Sequence, residues 1–323
     1  MTSSRGRAQA GEASPVWEVI RGAIDLHVHA GPDVMERRLD DVDLARDFLY
    51  HGLSGFVLKS HYMPTAERAR TVERAVPGSR VVGAITLNHA VGGVNPAALE
   101  VSARSGARVV WMPTVDSANE WSARKPGTPP PAWGAVQEQL MARPGYPPPI
   151  TLVGGDGRVG EAVSQCLEIV AAHGMVLATG HVGRREVFAL VRRATELGVD
   201  RIVVTHAEFP SVDLTAEEQV ELAGLGAYVE HCYTTPYTGK TAWEVVFSNL
   251  RATGPERAVI STDLGQPANP PAAEGLADFA ERLLRAGFSA EAVRLMAVVY
   301  PGQLLADRAG DGFPSVGQVV SRP

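Results

Sequence analysis

The chain has 323 residues, 45% of them hydrophobic and 20% charged, a composition that suits a globular protein long enough to bury a full core. Its formal net charge of −6 argues against a nucleic-acid partner, which normally requires a basic patch, and favours a small-molecule partner. No apolar stretch has the length of a membrane span or the pattern of a signal peptide, so we expect a cytoplasmic protein without membrane contact. Cys166 and Cys232 form no C-x-x-C motif, which predicts reduced thiols rather than a disulfide scaffold.

Short apolar runs alternate with amphipathic segments along the chain, as in βα units around a parallel sheet. Strands are predicted at residues 23–28, 55–59, 80–87, 109–113, 175–179, 201–205, 227–230 and 258–262. Helices are predicted at residues 42–50, 65–76, 161–172, 185–197, 216–222, 242–250, 272–286 and 290–299. This order predicts an α/β fold of the (β/α)8 TIM-barrel type.

A Pro-rich stretch from residue 116 to 149 interrupts this rhythm after the fourth strand. Its two runs of three prolines, at 129–131 and 147–149, predict an extended loop, which would lie over the mouth of the barrel. Residues 150–159 predict a hairpin turn, because their Gly-rich run lacks the Lys-Ser/Thr of a phosphate loop. The predicted domains are an N-terminal extension at 1–20, the barrel at 21–310 and a C-terminal tail at 311–323.

Five potential metal ligands stand at the ends of four predicted strands. His27 and His29 close the first strand, His181 and His206 follow the fifth and sixth, and Asp263 follows the eighth. The carboxyl ends of barrel strands converge on one face, and strand alternation places His27 and His29 on the same side. The imidazole and carboxylate donors predict one or two divalent ions, with zinc favoured and manganese or iron also fitting. Asp263 is also the candidate catalytic base.

The sequence resembles the amidohydrolase superfamily in the DLHVH motif at 25–29, the strand-end histidines and the STDLGQ motif at 261–266. The similarity covers nearly the whole chain and points to a little-characterised branch. It implies that a metal-activated hydroxide hydrolyses an amide, a cyclic amide or a related carbon–nitrogen bond of a small molecule. It also implies the ligand set His27, His29, His181, His206 and Asp263, with Asp263 activating the hydroxide.

One position departs from the superfamily pattern. Members with two metals usually carry a bridging carboxylated Lys or a Glu at the end of strand four, where this chain has Trp111 and no acid nearer than Asp116. Lys59, at the end of strand two, is a candidate for that bridge or for binding a substrate anion, and an incidental lysine is the alternative. His61 is a second candidate ligand. The number of metal ions is left open.

Four more polar residues follow predicted strand ends and are candidates for substrate binding: His89, Arg184, Glu208 and His231. The planar guanidinium of Arg184 would suit a carboxylate on the substrate. Ordinary hydrogen-bonding or solvated groups on the barrel rim are the alternative for each of them.

Two other functions fit the same residues. A metal-dependent decarboxylase or other lyase would use the metal to stabilise an enolate. A non-catalytic metal- or ligand-binding barrel is less favoured, because Asp263 supplies a general base that mere binding does not need. The sequence does not identify the substrate, and it leaves the oligomeric state open, a homo-oligomer included.

Overall fold

The computed structural model describes residues 15–123 and 132–307, in which eight parallel strands pair in chain order. The strands are β1 (Ile24–His29), β2 (Gly55–Lys59), β3 (Arg80–Thr86), β4 (Ala107–Trp111), β5 (Val176–Ala178), β6 (Ile202–Val204), β7 (Tyr228–Cys232) and β8 (Ala258–Ser261). The predicted (β/α)8 fold is confirmed, and the predicted strand ends are within two residues of the observed ones.

Helices connect the strands along the chain, one helix precedes the first strand, and two lie in the insertion after β4. The helices are α1 (Pro15–Val19), α2 (Asp41–Tyr50), α3 (Ala66–Ala75), α4 (Pro96–Arg104), α5 (Ala118–Ser122), α6 (Ala132–Met141), α7 (Glu161–Ala172), α8 (Arg184–Glu196), α9 (Ala216–Gly224), α10 (Thr234–Tyr237), α11 (Trp243–Thr253), α12 (Ala272–Arg285), α13 (Ala290–Arg294) and α14 (Tyr300–Leu304). Within residues 15–123 and 132–307, none of these helices is long and apolar enough to cross a bilayer.

Apolar side chains fill both sides of the sheet. Outward-facing residues such as Phe56 and Leu177 pack under the helices, while the barrel interior is closed by residues such as Leu26, Val109 and Val259. The interior is therefore a packed core rather than a pore, as this fold requires. The candidate metal ligands lie in the layer above it, at the carboxyl ends of the strands.

The segment after β4 differs from the predicted extended loop because it contains α5 and α6. Asp116 fastens it to the barrel: its carboxylate accepts hydrogen bonds from Gln137 Nε2 at 2.6 Å, from the Tyr146 hydroxyl at 2.8 Å and from the backbone N–H of His89 at 2.8 Å. This acid is thus committed to holding the insertion. The first proline run, at 129–131, lies outside the described residues.

The described residues include the predicted hairpin and only part of the predicted domains. A bridge between Val153 and Val159 confirms the hairpin turn. Val16 and Ile20, within the predicted N-terminal extension, are buried in the core. Residues 1–14 and the predicted tail at 311–323 lie outside the described residues, so the domain boundaries stay predictions.

Closure of the barrel brings β1 against the segment that follows β8. Val28 forms a parallel bridge with Leu264, the N–H of His29 donates to the Leu264 carbonyl at 2.8 Å, and the N–H of Asp263 donates to the His27 carbonyl at 2.8 Å. Backbone hydrogen bonds therefore fix the first and last strand ends beside each other. The two ends that carry candidate ligands become neighbours through this closure.

A bulge in β1 shapes this junction. The pairing of β1 with β2 shifts register between Asp25 and Val28, so both Leu26 and His27 face the interior. The carboxylate of Asp25, fully buried, accepts hydrogen bonds from His27 N at 3.0 Å and from Thr262 N at 3.1 Å, and a third from the Thr262 hydroxyl. Burial raises the pKa of Asp25 to about 7, although these hydrogen bonds oppose the rise.

This pKa predicts a pH-dependent stability. The carboxyl of Asp25 binds its proton more tightly in the folded chain than in the unfolded chain, so the wild type loses stability as the pH rises from about 4 to about 7. Asp25→Asn removes this contribution. Urea unfolding of both metal-free proteins across this range should show the variant gaining relative stability with pH, by at most about 4 kcal/mol. Parallel curves would contradict the prediction.

Candidate metal centre

The first part of the site is a triangle of His27, His29 and Asp263. Asp263 Oδ1 lies 3.2 Å from Nε2 of His27 and 3.2 Å from Nε2 of His29. The three ligand atoms lie within 4.8 Å of one another, and both imidazoles are buried. The structure therefore brings these three predicted ligands together around one point.

The second part of the site contains His61, His181 and His206. The ring centroids of His181 and His206 are 4.7 Å apart, and the His206 ring lies 5.9 Å from that of His27. His61 stacks on His29 at 5.0 Å and lies 6.1 Å from His181, so it joins the two parts. All five predicted ligands and His61 thus lie in one layer at the mouth of the barrel.

The local backbone conformation positions several of these side chains. His206 and Asp263 have positive φ angles of 29° and 53°, a conformation that costs energy outside glycine and often marks functional positions. Gly180, before His181, has a φ of 69°, and a Cβ there would lie 2.3 Å from the Met112 carbonyl oxygen. A glycine is therefore required where the chain turns into His181.

Two buried carboxylates stand behind the histidines, and neither was recognised from the sequence. Glu230 Oε2 lies 3.2 Å from His27 Nδ1 and accepts the N–H of His206 at 3.1 Å, while Ser261 donates to Oε1 at 2.7 Å. Glu120 Oε2 lies 3.0 Å from His181 Nδ1. In metal sites such carboxylates accept the proton of one ring nitrogen and leave the other nitrogen as the ligand.

The sequence pattern could have predicted only one of these two carboxylates. Glu230 is an acid within the otherwise apolar start of β7, and a buried carboxylate inside a barrel strand needs a partner. Glu120 lies in α5, within the insertion, and only the tertiary fold brings it to His181. No spacing in the sequence reports that contact.

Most of the site favours neutral imidazoles and an ionised carboxylate, whereas His27 departs from this: burial and Lys59 lower its pKa, but Asp263 and Glu230 outweigh them and raise it. Burial holds the pKa of His29, His61 and His206 well below the ordinary value of histidine. Burial also opposes ionisation of Asp263, but the neighbouring His27 and His29 outweigh it and hold the pKa of Asp263 well below its usual range. These are the protonation states that metal ligands need.

Lys59 lies inside the layer. Its Nζ is 2.8 Å from His27 Nε2 and 5.1 Å from the centroid of the Trp111 ring, which is the side chain that β4 presents. Burial lowers the pKa of Lys59, although Asp263 and Glu230 oppose the shift. A lysine from β2 therefore contacts a candidate ligand where β4 supplies none, and its role as a bridge stays a prediction.

The structure does not bring the four candidate substrate-binding residues to the cluster. His231 Nδ1 bonds Glu208 at 2.9 Å, on the face of β7 opposite Glu230, where Gln219 and Asn249 also donate to Glu208. The sequence predicts His231 and Glu208 at the barrel rim. In the structure they form a buried pair under the helices.

Arg184 and His89 are occupied elsewhere. Arg184 begins α8 with a half-exposed side chain and pairs with Asp213 at 3.2 Å and with Glu218 at 3.6 Å. His89 Nε2 lies 2.9 Å from the carbonyl oxygen of Pro148, in the insertion. Their present partners are therefore protein groups, not the metal-ligand cluster.

The donor set fits a divalent metal ion. His206 Nδ1 is buried and has no hydrogen-bond partner among the described residues, and an orphaned ring nitrogen of this kind calls for a ligand. His27 and His181 each turn one nitrogen to a carboxylate, which leaves the other to bind metal. Nitrogen donors with one carboxylate suit zinc, manganese or iron.

The eight-stranded barrel of this chain is shared by several solved hydrolase structures. An amidohydrolase from Pseudomonas aeruginosa matches with a TM-score of 0.61 at 12% identity, over 90% of this chain and 98% of that chain. Organophosphorus hydrolase from Deinococcus radiodurans matches with a TM-score of 0.54 at 16% identity, over 88% and 93% of the two chains. The probable dipeptidase PvdM from Pseudomonas aeruginosa gives 0.57 at 10% identity, over 90% and 96%.

The resemblance expected from the sequence is thus confirmed at the level of the fold. More particularly, the chain belongs to the family of unknown function DUF6282, whose model matches residues 22–230. No curated protein matches the sequence. Residues 22–230 include His27, His29, His181 and His206, while Asp263 lies beyond them.

The contacts of Glu230 generate a prediction about metal binding. Glu230→Gln keeps the shape of the side chain but removes the charge that faces His27 Nδ1. Loss of such a carboxylate typically weakens metal affinity by about 10- to 100-fold. Competition with a chromogenic chelator would measure zinc affinity. The control is Glu221→Gln, which removes an exposed partner of Arg192 and should leave the affinity unchanged. Equal affinities in all three proteins would contradict the prediction.

Proposed function

We propose that this protein is a metal-dependent hydrolase that cleaves an amide, cyclic amide or related carbon–nitrogen bond of a small molecule. The observation that carries the proposal is the convergence of Nε2 of His27 and Nε2 of His29 on Asp263 Oδ1, with Glu230 behind His27. The proposed ligands are His27, His29, His181, His206 and Asp263. Lys59 and His61 are additional candidates between them.

When bound by these residues, a divalent ion would polarise the substrate carbonyl and make water nucleophilic near neutral pH. Zinc is our first choice, with manganese and iron as alternatives. The two cysteines are free and buried, which suits the reducing compartment that a cytoplasmic enzyme would occupy. We expect the substrate to be a small molecule.

Asp263 is placed to move the proton. Its Oδ2 accepts a hydrogen bond from the Thr234 hydroxyl at 3.0 Å, which fixes the carboxylate while Oδ1 faces the histidines. The ionised carboxylate can take a proton from the attacking water and return it to the departing nitrogen. Amide cleavage needs this return, because an amine leaves as a neutral group only after it is protonated.

Aromatic side chains limit water around the reacting bond. The ring of Trp133, in α6, lies 6.3 Å from His61 and 6.1 Å from His181. Phe209 packs on His206 at 4.7 Å. These rings surround the cluster with apolar surface, which strengthens the electrostatic interactions of the charged groups inside.

Removal of metal tests the proposal directly. We expect a dialysed, chelator-treated protein to lose turnover of its best substrate from a panel of amides, cyclic imides and dihydropyrimidines. Zinc or manganese should restore it, because imidazole nitrogens and an ionised carboxylate bind these ions. Turnover that survives complete metal removal, verified by elemental analysis, would overturn the proposal.

Asp263→Asn separates binding from chemistry. The amide oxygen can still face the metal but cannot accept the proton, so we expect most of the metal to be retained and kcat to fall at least about a hundredfold. Elemental analysis and steady-state kinetics measure the two effects. In the wild type, one oxygen from ¹⁸O-labelled water should enter the product. Product without label would point to a lyase instead.

A further inference from the structure

A buried arginine stands beside the metal centre and has no part in the function proposed so far. Arg37 lies in the loop between β1 and α2, and its side chain and that of its partner Asp33 are each only 3% exposed. Nε and Nη2 of Arg37 both donate to Asp33 Oδ2, at 2.8 and 2.6 Å. Asp33 Oδ1 in turn accepts the N–H of Val34. One edge of the guanidinium is therefore fixed.

The same edge of the guanidinium also borders the site. Nη2 lies 3.4 Å from His29 Nδ1, on the ring whose Nε2 faces Asp263. No residue of the described structure accepts a hydrogen bond from Nη1 of Arg37. This nitrogen therefore offers donors next to the ligands. Its positive charge also acts on the site, because after burial it is the next largest cause that lowers the pKa of His29.

The loop that carries Arg37 is closed and rigid. Gly31 N donates to the Leu39 carbonyl at 2.9 Å, Asp41 N donates to the Gly31 carbonyl at 2.9 Å, and Arg38 N donates to the Gly265 carbonyl at 2.8 Å. The ends of the loop are thus pinned to each other and to the segment after Asp263. A guanidinium held in this way needs little ordering when a ligand binds.

Stability alone is a weak reason to bury this pair. Removing two charges from water costs as much as their attraction returns, so a buried ion pair seldom stabilises a fold relative to apolar residues. The neighbouring Arg38 shows the ordinary alternative, because it stays exposed and donates to the carbonyls of Pro267 and Asn269. The burial of Arg37 against His29 calls for a function.

A second donor beside the metal-ligand layer is also without a partner. The hydroxyl of Tyr62 is buried and makes no hydrogen bond within residues 15–123 and 132–307. The Tyr62 ring lies 6.3 Å from the ring of His61, and burial raises the pKa of the hydroxyl. A neutral hydroxyl donor and a fixed guanidinium together suit an anionic acceptor with two oxygens.

We propose that Arg37, assisted by the hydroxyl of Tyr62, binds a carboxylate of the substrate beside the metal centre. This inference rests on the proposed hydrolase function and narrows its substrate class to amides or cyclic amides that carry a carboxylate. Arg37 then takes the role that the sequence argument gave to Arg184, whose guanidinium is engaged by Asp213 and Glu218. The carboxylate orients the scissile bond towards Asp263.

The binding test uses succinate, which contains carboxylates but no bond to cleave. Calorimetric titration of the zinc-loaded protein should show succinate binding at millimolar concentrations. Arg37→Gln should weaken it by about 10- to 100-fold, as expected for a lost charge-assisted contact, with the zinc content unchanged. Arg46→Gln removes the same charge from the exposed surface of α2 and should bind succinate as the wild type does.

Two further variants keep the test decisive. Arg37→Lys preserves the charge and the pairing with Asp33 but not the planar fork, so it should fold, retain zinc and bind succinate several-fold more weakly than the wild type. Tyr62→Phe should weaken binding less than Arg37→Gln does. Unchanged succinate binding in Arg37→Gln would overturn the inference. If Arg37→Gln loses zinc, unchanged succinate binding in Arg37→Lys would overturn it instead. Absence of succinate binding to the wild type would do the same.

A kinetic comparison distinguishes this inference from the function on which it rests. N-acetylglycine and N-acetylglycinamide differ only in the carboxylate, and we expect the enzyme to prefer the former through a lower KM, with the preference abolished in Arg37→Gln. Equal hydrolysis of both by the wild type would refute the carboxylate site and leave the hydrolase intact. Succinate binding that depends on Arg37, without any metal-dependent turnover, would support the carboxylate site and refute the hydrolase function.

Discussion

The carboxylate of Glu230 connects three strands at the mouth of the barrel. From β7 it faces the imidazole of His27 on β1, accepts the backbone N–H of His206 after β6 and accepts the hydroxyl of Ser261 on β8. A buried carboxylate is stable only when its hydrogen bonds are satisfied, so this one residue constrains the positions of all three partners. Contacts with this carboxylate fix both the backbone of His206, which has a positive φ, and the orientation of the His27 ring.

Closure of the barrel brings Asp263 next to the histidines of β1. Hydrogen bonds between β1 and the segment after β8 place Asp263 within 3.2 Å of both histidines of β1. The N–H of Gly180 donates to Thr205 Oγ1 at 3.0 Å and the N–H of Thr205 donates to Thr179 Oγ1 at 3.0 Å, which joins the strand ends that precede His181 and His206. The two parts of the cluster therefore sit on adjacent, cross-linked strand pairs. His27 and His29 lie on β1, whereas His181, His206 and Asp263 lie just after β5, β6 and β8, where backbone hydrogen bonds hold each of them.

The groups around this layer divide the remaining tasks. Glu230 and Glu120 orient imidazoles, and Asp116 fastens the insertion that brings Trp133 over the cluster. Arg37 supplies a fixed positive charge at the opposite side, against His29. The proposed function thus depends on two carboxylates behind the ligands, and the proposed substrate site adds the cation of Arg37. That asymmetry favours an anionic substrate approaching a polarised carbonyl.

The sequence by itself determined the βα rhythm and the strand ends, because apolar runs and amphipathic periods depend on neighbours along the chain. It also determined which histidines, with Asp263, gather at one face, since parallel strands of a barrel share a direction. Only the tertiary structure decided the partners: Glu120 reaches His181 from the insertion, and Arg37 reaches His29 from a loop. It also turned His231 and Glu208 away from the site. These contacts depend on which way a side chain faces and on how distant segments pack. The local sequence pattern determines neither of these.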